Sequence, residues 1–432
     1  GERYVVQADI YYQGKNYSFG YRIPGGMAEF AFLDERALEG DEGCYLIPVK
    51  PETGFSQAAL TEPWACVEMS YNVDDRLCPG GTRMLLVGDE VAKLKEDYPV
   101  AEVMGTDLDG LGDDDRYDDI VVAEARAALV NRLVRHIAPK GRLFILGPCL
   151  DDGPVTLDVG AIHYEDKRIY GGADTLEGLA DRHRRTELLP GGAALMIGSG
   201  GPMGQMHVQR ALELPEPPRL VVVTDHHQNR LDRIHALFDS LAEEKGVQLV
   251  TVMPEHFGGV EGMNAHIASL APEGYSDIIF MVPKPELVSQ YAPYAADGAF
   301  FNVFAGVLIG LTDDLPLRDL CRGLRLVGTS GSRISDMAKV LEKVEGGELN
   351  TNRTVAAVGG LDAVKDGLQA VKESRFHGKA VIYPQVTHFP LTPIEELQKT
   401  HPDLAAKLDA EGAWTREAEA ALLEGYANDG GA

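Results

Sequence analysis

The segment AALMIGSGGPMGQMHVQRAL at residues 193–212, followed by RLVVVTD ending at Asp225, sets an apolar strand, a glycine-dense turn, a helix and a second strand closed by a carboxylate within one βαβ-sized window. Those residue types in that order suit a dinucleotide. Glycines let the backbone turn tightly and approach a pyrophosphate, and the helix start offers free N–H groups to the phosphates. The candidate cofactor residues are Gly198, Ser199, Gly200, Gly201, Pro202, Met203 and Gly204, with Ser199 standing where the usual G-x-G-x-x-G run has its first glycine. Valine at Gly201 or Gly204 is expected to block the pyrophosphate and leave the fold largely intact. Asp225 is placed to accept both ribose hydroxyls of the adenosine half, which favours NAD; its other reading is a cap on the next helix. Arg230 is near enough to reach the 2′-phosphate of NADP, so that cofactor stays open beside NAD.

A second constellation is TEPWACVEMSYN at residues 61–72, where Glu62 precedes a proline at a helix start. Its carboxylate could ligate a metal or simply cap the helix, and on the bare sequence the cap is favoured. The acidic run DLDGLGDDDRYDD at residues 107–119 has Leu111 at a ligand position and no closing Glu, so it reads as a solvated loop and not a calcium site. His226 and His227 have no third ligand at zinc spacing and read as surface residues near the adenosine.

The elements that must position these residues fall into two kinds. From Tyr4 to about Met69 the text is rich in β-formers and Gly/Pro turns, as in a barrel or sandwich; from about Arg83 to Ile382 short apolar runs alternate with amphipathic stretches, as in βαβ units. Inside the second region RYDDIVVA, LVNRLVRHIAPKGRLFILG and DKRIYGGAD return as GYSDIIFMV, LVSQYAPYAADGAFFNVFAG and GLRLVGTSG, pairing Asp119 with Asp277, Gly141 with Gly298 and Gly171 with Gly328. Only the second copy has a full front half with a glycine turn. Ahead of the first copy, RMLLVGDEV has one strand-like run and no glycine turn, so that copy is expected to be a scaffold without a dinucleotide, paired with the second copy or with another subunit.

The chain has 432 residues, 44% of them hydrophobic, enough for two or three domains with their own cores. A net charge of −27, from 67 acidic and 40 basic residues, argues against nucleic acid and anionic membrane surfaces as partners. No apolar run approaches a bilayer span. Five scattered cysteines fit reduced thiols in a cytoplasmic protein. The opening Gly1-Glu2-Arg3-Tyr4, without Met or a signal pattern, reads as processed or truncated.

Together GGMAEFAFL (25–33), ALTEPWACV (59–67), GSGGPMG (198–204), GTSGSRISDM (328–337) and HGKAVIYP (377–384) resemble the medium-chain dehydrogenase/reductase superfamily, in its polyol and sugar-phosphate branch. The resemblance covers nearly all of residues 1–384. It implies an α/β fold with a doubly wound Rossmann sheet, a partial GroES-like β barrel and an extra half-Rossmann repeat. The expected domains are a partial GroES-like catalytic unit at 1–75, the degenerate repeat at 83–175, the NAD-binding Rossmann domain at 190–335, a return to the catalytic unit at 336–384 and a helical tail at 385–432, the tail being an oligomer contact or a solvated cap. GGMAEFAFL is expected to be a barrel strand. The resemblance further implies hydride transfer between a nicotinamide and a polyol or sugar-phosphate substrate, a homo-oligomer, and Glu62 as a ligand of a catalytic zinc or a partner of its water. The family's other zinc ligands, a Cys and a His-Glu pair, belong to the first part of the barrel, which is expected to lie before Gly1, so the resemblance implies zinc in the complete protein. Two alternatives are a cofactor-binding but inactive homologue and a zinc-free enzyme of quinone-reductase type.

Overall fold

The computed structural model describes residues 1–72 and 76–426. The strand Ala193–Ile197 is built from AALMI, five apolar side chains buried on both faces, as a central strand between helical layers requires. It pairs in parallel with Leu220–Thr224 and Tyr275–Phe280, and Gln248–Val252, Ala295–Val303 and Arg325–Val327 complete six parallel strands. Numbered along the chain, their order in the sheet is 3-2-1-4-5-6, the doubly wound order that opens a crevice beside the first strand.

The first copy extends beyond the rear half that the sequence suggested. Tyr117–Val122, Ile137–Leu146 and Arg168–Ala173 are its rear strands, and Met84–Val87 and Glu102–Met104 add two front strands to the same parallel sheet. Among the described residues only a counterpart of the third strand is lacking. The matched aspartates Asp119 and Asp277 behave alike. Asp119 accepts from Arg76 and from the N–H groups of Gly80 and Gly81, at 2.8 and 2.6 Å, while Asp277 accepts from Arg185 at 2.5 Å and from the Leu189 N–H at 3.0 Å. Each buried carboxylate fastens the segment entering its sheet to the sheet's fourth strand position. Asp119 therefore lies in the protein interior although it closes the acidic run read as a solvated loop.

The two copies pack on each other about a pseudo-twofold axis. Pro154–Asp158 and Thr312–Pro316, each followed at once by a helix, form an antiparallel ribbon in which Thr156 faces Asp314, the middle residue of one strand against the middle residue of the other. The Thr156 hydroxyl donates to Asp314 at 2.6 Å. Close approach at the sheet edges is also reciprocal: a Cβ on Gly171 would meet Leu320 O at 2.4 Å, and one on Gly328 would meet His163 Cα at 2.7 Å. Glycine at these matched positions is what the packing demands.

The N-terminal segment and the return after residue 336 are less regular than a barrel. Tyr4–Val6 pairs with Leu46–Pro48, Tyr11–Tyr12 with Lys15–Asn16, and a separate sheet joins Val355–Gly360, Lys379–Tyr383 and Thr392–Pro393. The expected strand in GGMAEFAFL is not formed: residues 25–33 run as coil, with Phe30 and Phe32 more than four-fifths exposed. Alternating apolar residues make a strand only where a neighbouring strand pairs their N–H and C=O groups, and none of the described residues does so here. The tail is likewise neither a solvated cap nor free. Trp414, Ala418 and Leu422 are buried, and Glu419 accepts the N–H groups of Phe55 and Ser56 at 2.6 and 2.8 Å. Residues 427–432 of that tail lie outside the described residues.

Candidate cofactor and catalytic site

The glycine turn forms as expected from its residue types. Gly198 has φ +71°, where a side chain is strained, and a Cβ there would strike Val282. Gly201 is the N-cap of the helix Pro202–Glu213, with proline at the first helical position and no side chain capping the end, so the first-turn N–H groups are left for a ligand. A Cβ on Gly201 would meet nothing within 4 Å, which opens that position to the crevice. Gly204 differs. A Cβ there would lie 2.2 Å from Ser199 O, so Gly204 serves helix-to-strand packing, and a valine at Gly204, unlike one at Gly201, is expected to disturb the fold. Ser199 is buried and donates its N–H to Thr224 O at 2.9 Å; Met203 packs on the main core.

Asp225 is buried at the end of Leu220–Thr224 and is shared between the two readings of the sequence. One oxygen accepts from the N–H groups of His226 and His227, at 2.8 and 3.1 Å, as a cap does. The other accepts the Gly200 N–H at 3.1 Å and lies 3.6 Å from Arg230, at the turn itself. His226 and His227 are exposed, as expected.

Glu62 lies in the first turn of the helix Thr61–Met69. Its carboxylate accepts from Cys66 Sγ at 3.4 Å, and burial raises its pKa above the ordinary carboxylate range. The Lys379 ammonium opposes that shift, and burial lowers the pKa of Lys379 itself while Glu62 draws it back up. Gln7 Nε2 donates to Ser332 Oγ at 3.0 Å, and the Asp9 carboxylate fills the space beside Gly331, so the loop after the strand Arg325–Val327 meets the N-terminal segment here. Asp9, Cys66, Ser332 and Lys379 were not singled out from the sequence. Lys379 stood inside HGKAVIYP as one residue of a strand, and only the fold brings it to Glu62.

The helices Thr61–Met69 and Pro202–Glu213 are locked together. Arg210 donates to Glu68 at 3.1 Å and to Glu187 at 2.6 Å, and its guanidinium lies 4.2 Å from the Tyr71 ring centroid. Tyr71 Oη and His207 Nδ1 share a hydrogen bond of 2.7 Å. Burial, reinforced by Arg210, lowers the His207 pKa to about 3. Because the unfolded histidine binds a proton near pH 6.5 and the folded one does not, its contribution to stability is full above that pH and drains away as pH falls toward 3. His207→Gln should flatten acid unfolding by about one proton, about 1.4 kcal/mol per pH unit between those limits. Chemical denaturation at stepped pH reads it; an unchanged slope would show that His207 is protonated when buried.

The described residues hold no group of three or more His, Cys, Asp or Glu side chains placed for a metal. Glu62 and Cys66 give two donors, and the Cys and His-Glu ligands that the resemblance implied are not among the described residues, so the residues present do not by themselves make up a catalytic zinc site.

A doubly wound sheet with a glycine turn at the start of its first helix and a buried carboxylate ending its second strand defines an α/β protein of the Rossmann type. Its sequence is similar to those of polyol-phosphate oxidoreductases. Mannitol-1-phosphate 5-dehydrogenase of Aliivibrio fischeri is 30% identical over 252 residues, which cover 55% of this chain and 57% of that protein. L-sorbose 1-phosphate reductase of Klebsiella pneumoniae is 29% identical over 241 residues, covering 54% and 55% respectively. The matches thus span little more than half the length of these relatives. No family model matches the chain. Among solved structures, alcohol dehydrogenase TADH from Thermus sp. ATN1 aligns with a TM-score of 0.37 and 17% identity, over 47% of this chain and 52% of that one.

Proposed function

We propose that the protein is a nicotinamide-dependent oxidoreductase that moves a hydride between the cofactor and a carbinol carbon of a polyol or sugar phosphate. The observation that carries this reading is the open Gly201 position before an uncapped helix start, with Asp225 hydrogen-bonded to the same turn. The pyrophosphate would bind at the helix start, held by Gly200 through Gly204, and the adenosine ribose at Asp225, with NAD preferred and NADP reachable through Arg230. The nicotinamide would extend along the strand ends toward Ser332, where Glu62 and Lys379 stand. Oxidation of the alcohol sends its hydride to the nicotinamide and its hydroxyl proton to a base; the Glu62 and Lys379 pair, whose pKa values burial pushes toward each other, would take that proton and return it in reduction. The similarity to enzymes named for mannitol 1-phosphate and sorbose 1-phosphate supplies the substrate class. A cytoplasmic location and a homo-oligomer belong to the same reading, the five cysteines being free. No helix among the described residues is long and apolar enough to cross a membrane.

The second reading is a dinucleotide binder without turnover. Nicotinamide absorbance with mannitol 1-phosphate and sorbitol 6-phosphate separates the two: reduction of NAD supports the enzyme, and NADH binding without turnover supports the binder. Asp225→Ala should weaken NAD by about 1.5 to 3 kcal/mol, the scale of a charge-assisted hydrogen bond, and NADP by less. Equal losses in calorimetry would reduce Asp225 to its capping bonds.

A further inference from the structure

The first copy has a crevice of its own. Met84–Val87, Tyr117–Val122, Ile137–Leu146 and Arg168–Ala173 run parallel, and at their carboxyl ends lies a cavity of about 430 Å³. This is the position where the second copy has its dinucleotide crevice and where doubly wound sheets hold ligands. Its chemistry is different. Val87 leads through Gly88 into a helix of only four residues, Asp89–Ala92, that opens on Asp89 and Glu90, in place of a glycine turn and a long helix. The wall is apolar, formed by Val91, Leu94, Leu146 and Leu150 among others, and Glu90, Glu124 and Asp174 stand around it against Lys93. A Cβ on Gly88 would lie 4.0 Å from Glu124 Oε1, so a carboxylate occupies the turn where phosphates would otherwise approach. None of the three carboxylates has a hydrogen bond or ion pair among the described residues. A pyrophosphate would be repelled, whereas an ammonium group would be drawn to the half-buried Glu124 carboxylate beside an apolar chamber, with the exposed Glu90 and Asp174 adding to the negative field.

We infer that this crevice is a second small-molecule site, selective for an organic cation whose apolar body fills the cavity and whose ammonium group meets Glu124. It stands on a different sheet from the proposed dinucleotide site and is independent of that reading. The probes are 2-phenylethylamine, 2-phenylethanol and 3-phenylpropionate, which share a body and differ in charge, titrated into the full chain by calorimetry. The amine should bind about tenfold tighter than the alcohol, and the carboxylate weakest. Glu124→Gln should bring amine and alcohol within about threefold of each other. Leu150→Trp, at an exposed lining position, should abolish binding of both by filling the chamber. Saturating NADH should not displace the amine, and circular dichroism confirms that each variant is folded. Absence of saturable amine binding, an alcohol or carboxylate that binds as tightly as the amine, or an unchanged preference in folded Glu124→Gln would each overturn the inference.

Discussion

Gly201→Val should lower the affinity for NADH by more than about 100-fold while the protein keeps its secondary structure and cooperative unfolding. The substitution puts two methyl groups into space that is empty of protein and that the pyrophosphate would use, at the N-cap of the helix Pro202–Glu213. The backbone there has φ −78°, a value valine adopts without strain, so the loss should appear in binding and not in folding. Gly204→Val makes the contrast. Its side chain would collide with the Ser199 backbone, and the strand-to-helix contact must open to admit it, so this variant should be destabilised by about 1 to 3 kcal/mol or more. Calorimetric titration beside a thermal melt distinguishes them; NADH affinity in Gly201→Val within a few-fold of the parent would refute the site.

Glu62→Gln should lower kcat/KM for polyol-phosphate oxidation by about 100-fold or more, with NADH affinity held within about twofold. Gln keeps the shape and loses the exchangeable proton. Burial places the Glu62 pKa above the usual carboxylate range, so the charged, proton-accepting form becomes populated only as pH rises through that elevated value. The parent's oxidation rate should therefore climb with pH along an acid limb above that range, and Glu62→Gln should remove the limb along with the rate. A parent-like pH profile in the variant would leave Glu62 with a packing role only.

What the sequence made legible follows from how local each signal is. ALMIGSGGPMG declares strand, turn and helix within a dozen neighbouring residues, and the structure forms them in that order. The repeat was readable through Asp119 and Asp277 because each copy needs a buried carboxylate at the same place. Glu102–Met104 escaped notice because a strand of three residues with an exposed Glu and Val carries no periodicity. The ribbon of PVTLD with TDDLP was hidden for another reason: its partners are far apart in the chain and meet only after both copies have folded. GGMAEFAFL shows the converse failure, a strand pattern whose backbone finds no partner. Gly204 looked interchangeable with Gly201 because the letters of a glycine turn do not say which glycine faces the ligand and which faces the strand.

The most direct measurement is an NADH titration of the full chain by isothermal calorimetry. The structure predicts one dinucleotide per chain, because only the second copy joins a glycine turn to a long uncapped helix while the first sets Asp89, Glu90 and Glu124 at the matching turn. A stoichiometry near one, lost in Gly201→Val and kept in Glu124→Gln, is the expected result. A stoichiometry near two, or saturable NADH binding that survives Gly201→Val, would contradict it.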